Sequence, residues 1–302
     1  MLRTILLQLS ESKAMAQWVV ANSASRRVAR RFVAGETLDD ALAAARACNQ
    51  KGMSVSLDFL GENVASEGEA RAVREMYLGV FDRIAAEKLD ANVSLKLTQL
   101  GLDLSEALCE ELATSIVERA AQYGNFVRMD MEGSPYTQRT VNLCQRVRAK
   151  SAAVGTVVQS YLYRTEDDVR ALLAAGCRLR LCKGAYKEPP AVAFPKKADV
   201  DANYVKLMKL LLPSGIYHGI ATHDAAIITA TKEFAQQQGI AKEEFEFQML
   251  YGIRSDLQEQ LVRDGYRIRV YIPYGSQWFP YFMRRLAERP ANVLFFLKSL
   301  FR

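Results

Sequence analysis

The sequence predicts an α/β fold, a distorted (β/α)8 TIM barrel preceded by an N-terminal helical arm. Three observations carry this. Eight short runs rich in β-branched residues and leucine alternate with longer stretches of helical periodicity, the rhythm that builds a parallel sheet through right-handed crossovers. The alternation fills a span close to the ~250 residues usual for such a barrel. Neither G-x-G-x-x-G nor G-x-x-x-x-G-K-[ST] occurs, whereas a doubly wound open sheet usually carries such a phosphate loop.

Residues 1–47 read as helices: an apolar spacing along 2–20, then a segment ending in LDDALAAARAC, for which Thr37 supplies an N-cap ahead of Asp39 and Asp40. These form the arm, and residues 48–302 form the barrel with its final helices. Within the arm, SRRVARRF at 25–32 is either a solvated face or a contact for anionic lipid or nucleic acid. The strand candidates are MSVSLDFLGE, ANVSLKLTQLG, NFVRMDMEG, GTVVQSYL, CRLRLCKGAY, IYHGIATHD, FEFQMLYG and YRIRVYIPYG. Between them lie helical stretches such as SEALCEELATSIVERAAQYG and TEDDVRALLAAG. After the fifth strand, KEPPAVAFPKKADVDANY at 187–204 breaks the rhythm and reads as a long loop over the barrel mouth, a candidate lid. After the eighth, an amphipathic helix carries Arg284, Arg285 and Glu288, spaced so that all three side chains can converge at one end. Two guanidinium forks beside aromatics match a small carboxylate; the alternative is a solvated Arg–Glu network.

Composition narrows the class. At 302 residues, half of them hydrophobic, one main domain can bury a large core. The net charge of +6 arises from 40 basic against 34 acidic residues, a mixed surface that does not demand nucleic acid. Five cysteines without a C-x-x-C pair and two histidines give no metal spacing, so no metal is expected and the thiols read as reduced and packed. The apolar run near residue 5 ends at Ser10 and Glu11, and no run reaches the ~18 residues of a membrane-spanning helix. The expected location is cytoplasmic, with at most peripheral contact at the inner face of the membrane.

In every strand candidate the unusual polar residues fall at the end or just beyond it: Asp58 and Glu62, Lys96, Asp130 and Glu132, Gln159 and Tyr161, Arg180 and Lys183, Thr222 to Asp224, Gln248, Tyr271. In a parallel barrel these ends share the face where chemistry is placed. Asp58 or Gln248, each taken alone, reads as a satisfied core group; the set reads as a site. No serine-nucleophile elbow is present. Several cations, a few acids and many tyrosines suit a phosphate-bearing organic cofactor over the barrel mouth and a carboxylate substrate beside it.

RLCKGAY at 180–186, ATHD at 221–224, FEFQMLYG at 245–252 and MRRLAE at 283–288 carry a resemblance. The chain resembles the flavin-dependent proline dehydrogenases, both the stand-alone enzymes and the matching domain of the bifunctional proline utilisation protein, from SLDFLGE at 56–62 to Asn292. The resemblance implies non-covalent FAD and oxidation of L-proline to Δ1-pyrroline-5-carboxylate. Electrons would pass to membrane quinone and the product to a downstream pyrroline-5-carboxylate dehydrogenase. It implies that Arg284, Arg285 and Lys96 bind the proline carboxylate, that Asp130 holds Lys96, and that Tyr186, Tyr271 and Leu250 pack on the substrate. Gln159 and Arg180 would hydrogen-bond the isoalloxazine, Arg180 near N5, making Asp130 and Arg180 the catalytic pair. Met131, Cys182, Lys183, Gly184, Ala185, Thr222, His223 and Gln248 would line the rest of the cofactor. Glu62 and Glu288 would gate the site, Glu62 against Arg284. The family usually has Val at the position of Cys182 and Asn at that of Asp224.

Two other readings stay open on sequence alone. One is a Schiff-base aldolase on the same barrel, with Lys96 or Lys183 as the amine nucleophile. The other is a nucleic-acid or anionic-membrane binder acting through the basic arm.

Overall fold

A computed structural model describes residues 29–288, the side chains of 286–288 excepted. Eight parallel strands close in sequence order: β1 (Ser54–Phe59), β2 (Ala91–Leu95), β3 (Val127–Met129), β4 (Val154–Gln159), β5 (Arg178–Cys182), β6 (His218–Ala221), β7 (Phe245–Leu250) and β8 (Arg267–Tyr274). The closing pair sets Ser56 opposite Tyr271 and Asp58 opposite Pro273.

Alternation along the strands explains both surfaces of the barrel. Val55 and Leu57, Val93 and Leu95, and Val127 and Met129 are fully buried beneath the helices. The intervening Ser56, Asp58, Ser94, Lys96 and Asp130 meet one another and Arg180 across the interior. Two strand glycines make room for this polar filling. A Cβ on Gly219 would lie 2.3 Å from the Gln248 amide, and one on Gly155 would lie 2.1 Å from the Arg178 carbonyl.

Helix α1 (Leu38–Asn49) is closed by a reciprocal capping box between Thr37 and Asp40. It buries Ala41, Leu42 and Ala45 against β8 and β1. Ion pairs from Asp39 and Arg46 tie it to Arg83 of α2 (Glu67–Ala86) and to Glu87 just beyond it. It therefore fills the gap in the outer ring between α2 and α8 (Ser255–Arg263). The ring continues through α3 (Glu106–Gln122), α4 (Ser134–Lys150), α5 (Thr165–Ala174), α6 (Lys197–Leu211) and α7 (Ala225–Gln237). Because α1 occupies that place, the last helix, α9 (Phe279–Glu288), cannot pack beside β8 and instead crosses the barrel mouth, where Arg284 reaches Glu62. This is the distortion of the barrel.

One expectation is corrected. The insert at 187–204 is not loop throughout, because α6 begins at Lys197 and absorbs its second half. Tyr204, Leu207, Met208 and Leu211 are buried at helical spacing, and that packing outweighs the lysine- and aspartate-rich start. Residues 1–28, including most of the arm and the start of its basic run, lie outside the described residues.

Candidate active site

The carboxyl ends of the strands and the crossing helix α9 enclose a cavity of about 780 Å³, toward the upper end of the ~300–1,000 Å³ of small-molecule and cofactor sites. Its floor is organised around Arg180 of β5. The guanidinium donates to Asp130 Oδ1 at 2.8 Å, to Ser94 Oγ at 3.1 Å and, through Nε, to Gln248 Oε1. Tyr271 donates its hydroxyl to the other Asp130 oxygen at 2.7 Å, and its ring lies 5.2 Å from the Arg180 carbon. Burial, with Asp130 adding to it, pushes the Tyr271 hydroxyl far above the usual phenol range, so it stays a donor.

Lys96 donates to Asp58 Oδ1 at 2.8 Å, both side chains almost wholly buried. Burial opposes the Lys96 charge, but Asp58 and Asp130 more than offset it and hold its pKa above the ordinary lysine value. This corrects the expectation that Asp130 binds Lys96. Asp58 and Lys96 project from neighbouring strands, whereas both Asp130 oxygens are taken by Arg180 and Tyr271. The proton-retaining Lys96 also argues against an amine nucleophile, which needs a lowered pKa.

Above this floor, α9 brings Arg284 and Arg285 to the same cavity. Arg284 donates to Glu62 at 3.1 Å and stands 5.9 Å from the Tyr186 ring; Arg285 packs 5.1 Å from Tyr281. Glu288 was expected to join them, and its side chain lies outside the described residues. Along the opposite wall, Lys183 bridges Asp224 at 2.8 Å and Asp201 at 2.6 Å. Leu250 donates its amide to His223 Nε2 at 2.9 Å, and Asp224 caps α7 through the Ala226 amide. Gly184 holds φ at +115°, where a Cβ would collide with the Tyr161 ring at 2.4 Å. Met131, Cys182, Ala185 and Thr222 complete the walls. Burial pushes the Cys182 thiol up to about 12, so it packs as a neutral group. Of the site residues named from sequence whose side chains are described, Gln159 and Glu62 are the ones not on the cavity lining.

Four contributors were not assigned from sequence: Asp58 as the partner of Lys96, Asp201 on Lys183, Tyr281 beside Arg285, and Glu188. Glu188 sits in the lid and accepts from the Ser134 amide at 2.7 Å and the Tyr161 hydroxyl at 3.3 Å. The sequence shows only that α4 opens on Gly133, which has no side chain to cap it, and not which residue supplies the cap.

A family model described as proline dehydrogenase matches residues 41–297. The chain belongs to the proline dehydrogenase family. It is 44% identical over 302 residues to Proline dehydrogenase 1 of Bacillus subtilis (strain 168), covering all of both chains. It is 41% identical over 280 residues to Proline dehydrogenase of Deinococcus radiodurans, covering 91% of this chain and 90% of that one. The structure of proline utilization A (PutA) from Bdellovibrio bacteriovorus, inactivated by N-propargylglycine, superposes with a TM-score of 0.82 at 28% identity, over 87% of this chain and 33% of that one.

Membership of the proline dehydrogenase family implies a flavin cofactor. The residues present fit one. Gln159 donates its amide to the Glu132 carbonyl at 2.9 Å, while its Oε1 is buried with no protein partner, an acceptor left for a ligand donor. Arg180 and Lys183 add cations to the cavity wall.

Proposed function

We propose that the chain oxidises L-proline to Δ1-pyrroline-5-carboxylate, with non-covalently held FAD as cofactor. Electrons pass on to membrane quinone, and the product feeds a downstream pyrroline-5-carboxylate dehydrogenase. The observation that carries this is the placement of Lys96, Arg284 and Arg285 around one cavity above the Arg180–Asp130 floor. Three cations facing tyrosines form a receptor for a small ring bearing one carboxylate.

When bound, FAD supplies the hydride-accepting flavin ring. The chain's own groups supply position and charge. Arg284, Arg285 and Lys96 hold the carboxylate, and Tyr186, Tyr271 and Leu250 pack on the substrate ring and exclude water. Hydride transfer needs this orientation more than it needs a nucleophile. Arg180, fixed by Asp130, Ser94 and Gln248, offers the cofactor a preorganised positive charge that favours acceptance of negative charge. Lys183, Thr222 and His223 line the rest of the cofactor, with Gln159 behind the Met131 wall offering its unpaired oxygen. Glu62 releases or restrains Arg284 as α9 opens and closes the mouth.

The test is an anaerobic absorption spectrum of the purified protein with and without L-proline. Flavin bands that bleach on adding proline are expected; bands that persist overturn the reading. Arg285→Met should raise KM for proline by about 30-fold or more with flavin retained, since truncating one side of a buried charge pair costs about 2–5 kcal/mol.

A further inference from the structure

The amino-terminal ends of the strands form the other face of the barrel, where side chains ordinarily serve stability. Here that face is built of arginines on aromatic rings. Arg178 opens β5 and Arg267 opens β8, both exposed, and their guanidinium carbons stand 5.8 and 5.7 Å from the ring centre of Tyr217, just before β6. Arg178 also lies 5.4 Å from the Phe126 ring, which it shares with Arg128 at 4.8 Å. Stacking of this kind would by itself make only a packed plug.

The charges on this face do not cancel. Its acids are engaged elsewhere: Glu246 accepts from Arg269, from Gln248 and, at 3.0 Å, from the Tyr217 hydroxyl, Asp90 accepts from the Ser54 hydroxyl at 2.6 Å, and Glu244 accepts from the Ala241 amide at 3.1 Å. Arg178 and Arg267 stand outside any ion pair among the described residues. Behind them Arg128 is 4% exposed; its Nη1 donates to the Thr156 and Arg178 carbonyls, while its Nε is buried with no protein partner. Burial lowers the Arg128 pKa to about 9 and the neighbouring Arg180 adds to that, so a further negative charge here is favoured. A planar guanidinium fork matches the oxygens of a phosphate, and a dianion can engage two forks at once.

We infer that the amino-terminal mouth of the barrel is a second ligand site, which takes a phosphate dianion, free or as the head of a phosphomonoester, between the Arg178 and Arg267 forks beside Tyr217. The site lies on the face opposite the cavity enclosed by α9, and it does not rest on the proposed reaction.

The experiment titrates inorganic phosphate into flavin-loaded full-length protein by calorimetry, with ionic strength held constant by chloride. Saturable binding of one phosphate per chain is expected, with a Kd of about 1 mM or tighter from two charge-assisted contacts. Arg178→Gln and Arg267→Gln should each weaken it about tenfold or more, and each should keep wild-type proline oxidation. Arg285→Met, in the cavity, should bind phosphate like the wild-type chain. Phosphate should also raise the Tm of the wild-type chain and not that of the two glutamine variants. Should Arg178→Gln fail to fold for want of its stacking, Arg267→Gln carries the test. Uptake that never saturates, an adventitious ion only, overturns the inference. Glutamine variants that bind like wild type overturn it too, and weakening by Arg285→Met alone then assigns the phosphate to the cavity. Ribose 5-phosphate binding more tightly than inorganic phosphate, with the same dependence on Arg178 and Arg267, supports a phosphomonoester as the source; weaker binding supports free phosphate. Loss of proline-dependent bleaching with phosphate binding intact refutes the proposed function alone.

Discussion

Replacing Asp58 by asparagine isolates the charge on which the carboxylate receptor depends. Asp58 is fully buried and its Oδ1 stands 2.8 Å from Lys96 Nζ, which is itself 6% exposed. The substitution keeps the shape and leaves a buried ammonium without its counter-charge, a loss worth about 3–5 kcal/mol. For 302 residues, unfolding entropy is about 0.6 kcal/mol/K at ~2.1 cal/mol/K per residue, so Tm should fall by about 5–8 °C. The assay is calorimetry of flavin-loaded protein at neutral pH. Two further results distinguish charge from shape. A proline-analogue carboxylate should raise the Tm of Asp58→Asn more than that of the wild-type chain, because it restores the missing anion. The double variant Asp58→Asn, Lys96→Met should recover most of the loss, since it removes both members of the pair. A single variant melting within about 1 °C of wild type, or a double variant showing the sum of the two single losses, would refute the reasoning.

Glu62 and Arg284 should be coupled. In a double-mutant cycle of alanine replacements, kcat/KM should show an interaction above about 0.5 kcal/mol, and simple additivity removes the gate. Glu132 accepts from the Thr98 amide and hydroxyl at 3.2 and 2.7 Å, yet burial pushes its pKa from 4.5 up to about 7. The folded state therefore keeps a proton that the unfolded chain gives up, and stability falls as pH rises from about 4.5 to 7, by up to about 3 kcal/mol. Glu132→Gln should raise Tm at pH 8 and leave it unchanged near pH 4, and an equal gain at both would count against the assignment. Tyr271 closes the floor with its hydroxyl on Asp130. Tyr271→Ser should narrow the preference for proline over 4-hydroxyproline, where an unpaired buried hydroxyl costs about 1–3 kcal/mol; an unchanged kcat/KM ratio would show that the ring does not face that part of the substrate.

The barrel was legible because two periodicities alternate eight times with one break, at 187–204, and most of the site because a parallel barrel puts every strand end on one face. What sequence could not settle is which side chains meet. Lys96 had two inward-facing carboxylates within the same strand layer, and the choice of Asp58 over Asp130 follows from Arg180 and Tyr271 having taken the latter. The start of α6 at Lys197 was hidden by a segment whose local composition reads as loop, since only the packing of Tyr204 and Leu207 under the ring makes it helix. The capping of α4 by Glu188 joins residues 54 apart in sequence, and no local pattern announces such a contact.

The polar interior gives the fold its directionality. Arg269 donates to Glu246 at 2.7 Å, and Gln248 donates to the same carboxylate at 2.5 Å. An ionised carboxylate only accepts, so the Gln248 amide nitrogen must face Glu246, and its oxygen is left for Arg180. Arg269 in turn lowers the Glu246 pKa against the cost of burial and keeps it ionised. Each partner thus fixes the orientation of the next, from β8 through β7 to the guanidinium at the cavity floor, and Asp130 and Ser94 hold that guanidinium from the other side. A buried cation with all these contacts cannot swing out to solvent when the mouth opens. The proposed reaction therefore moves helix α9, whose contact with Glu62 is partly solvated, over a charge that does not have to reorganise.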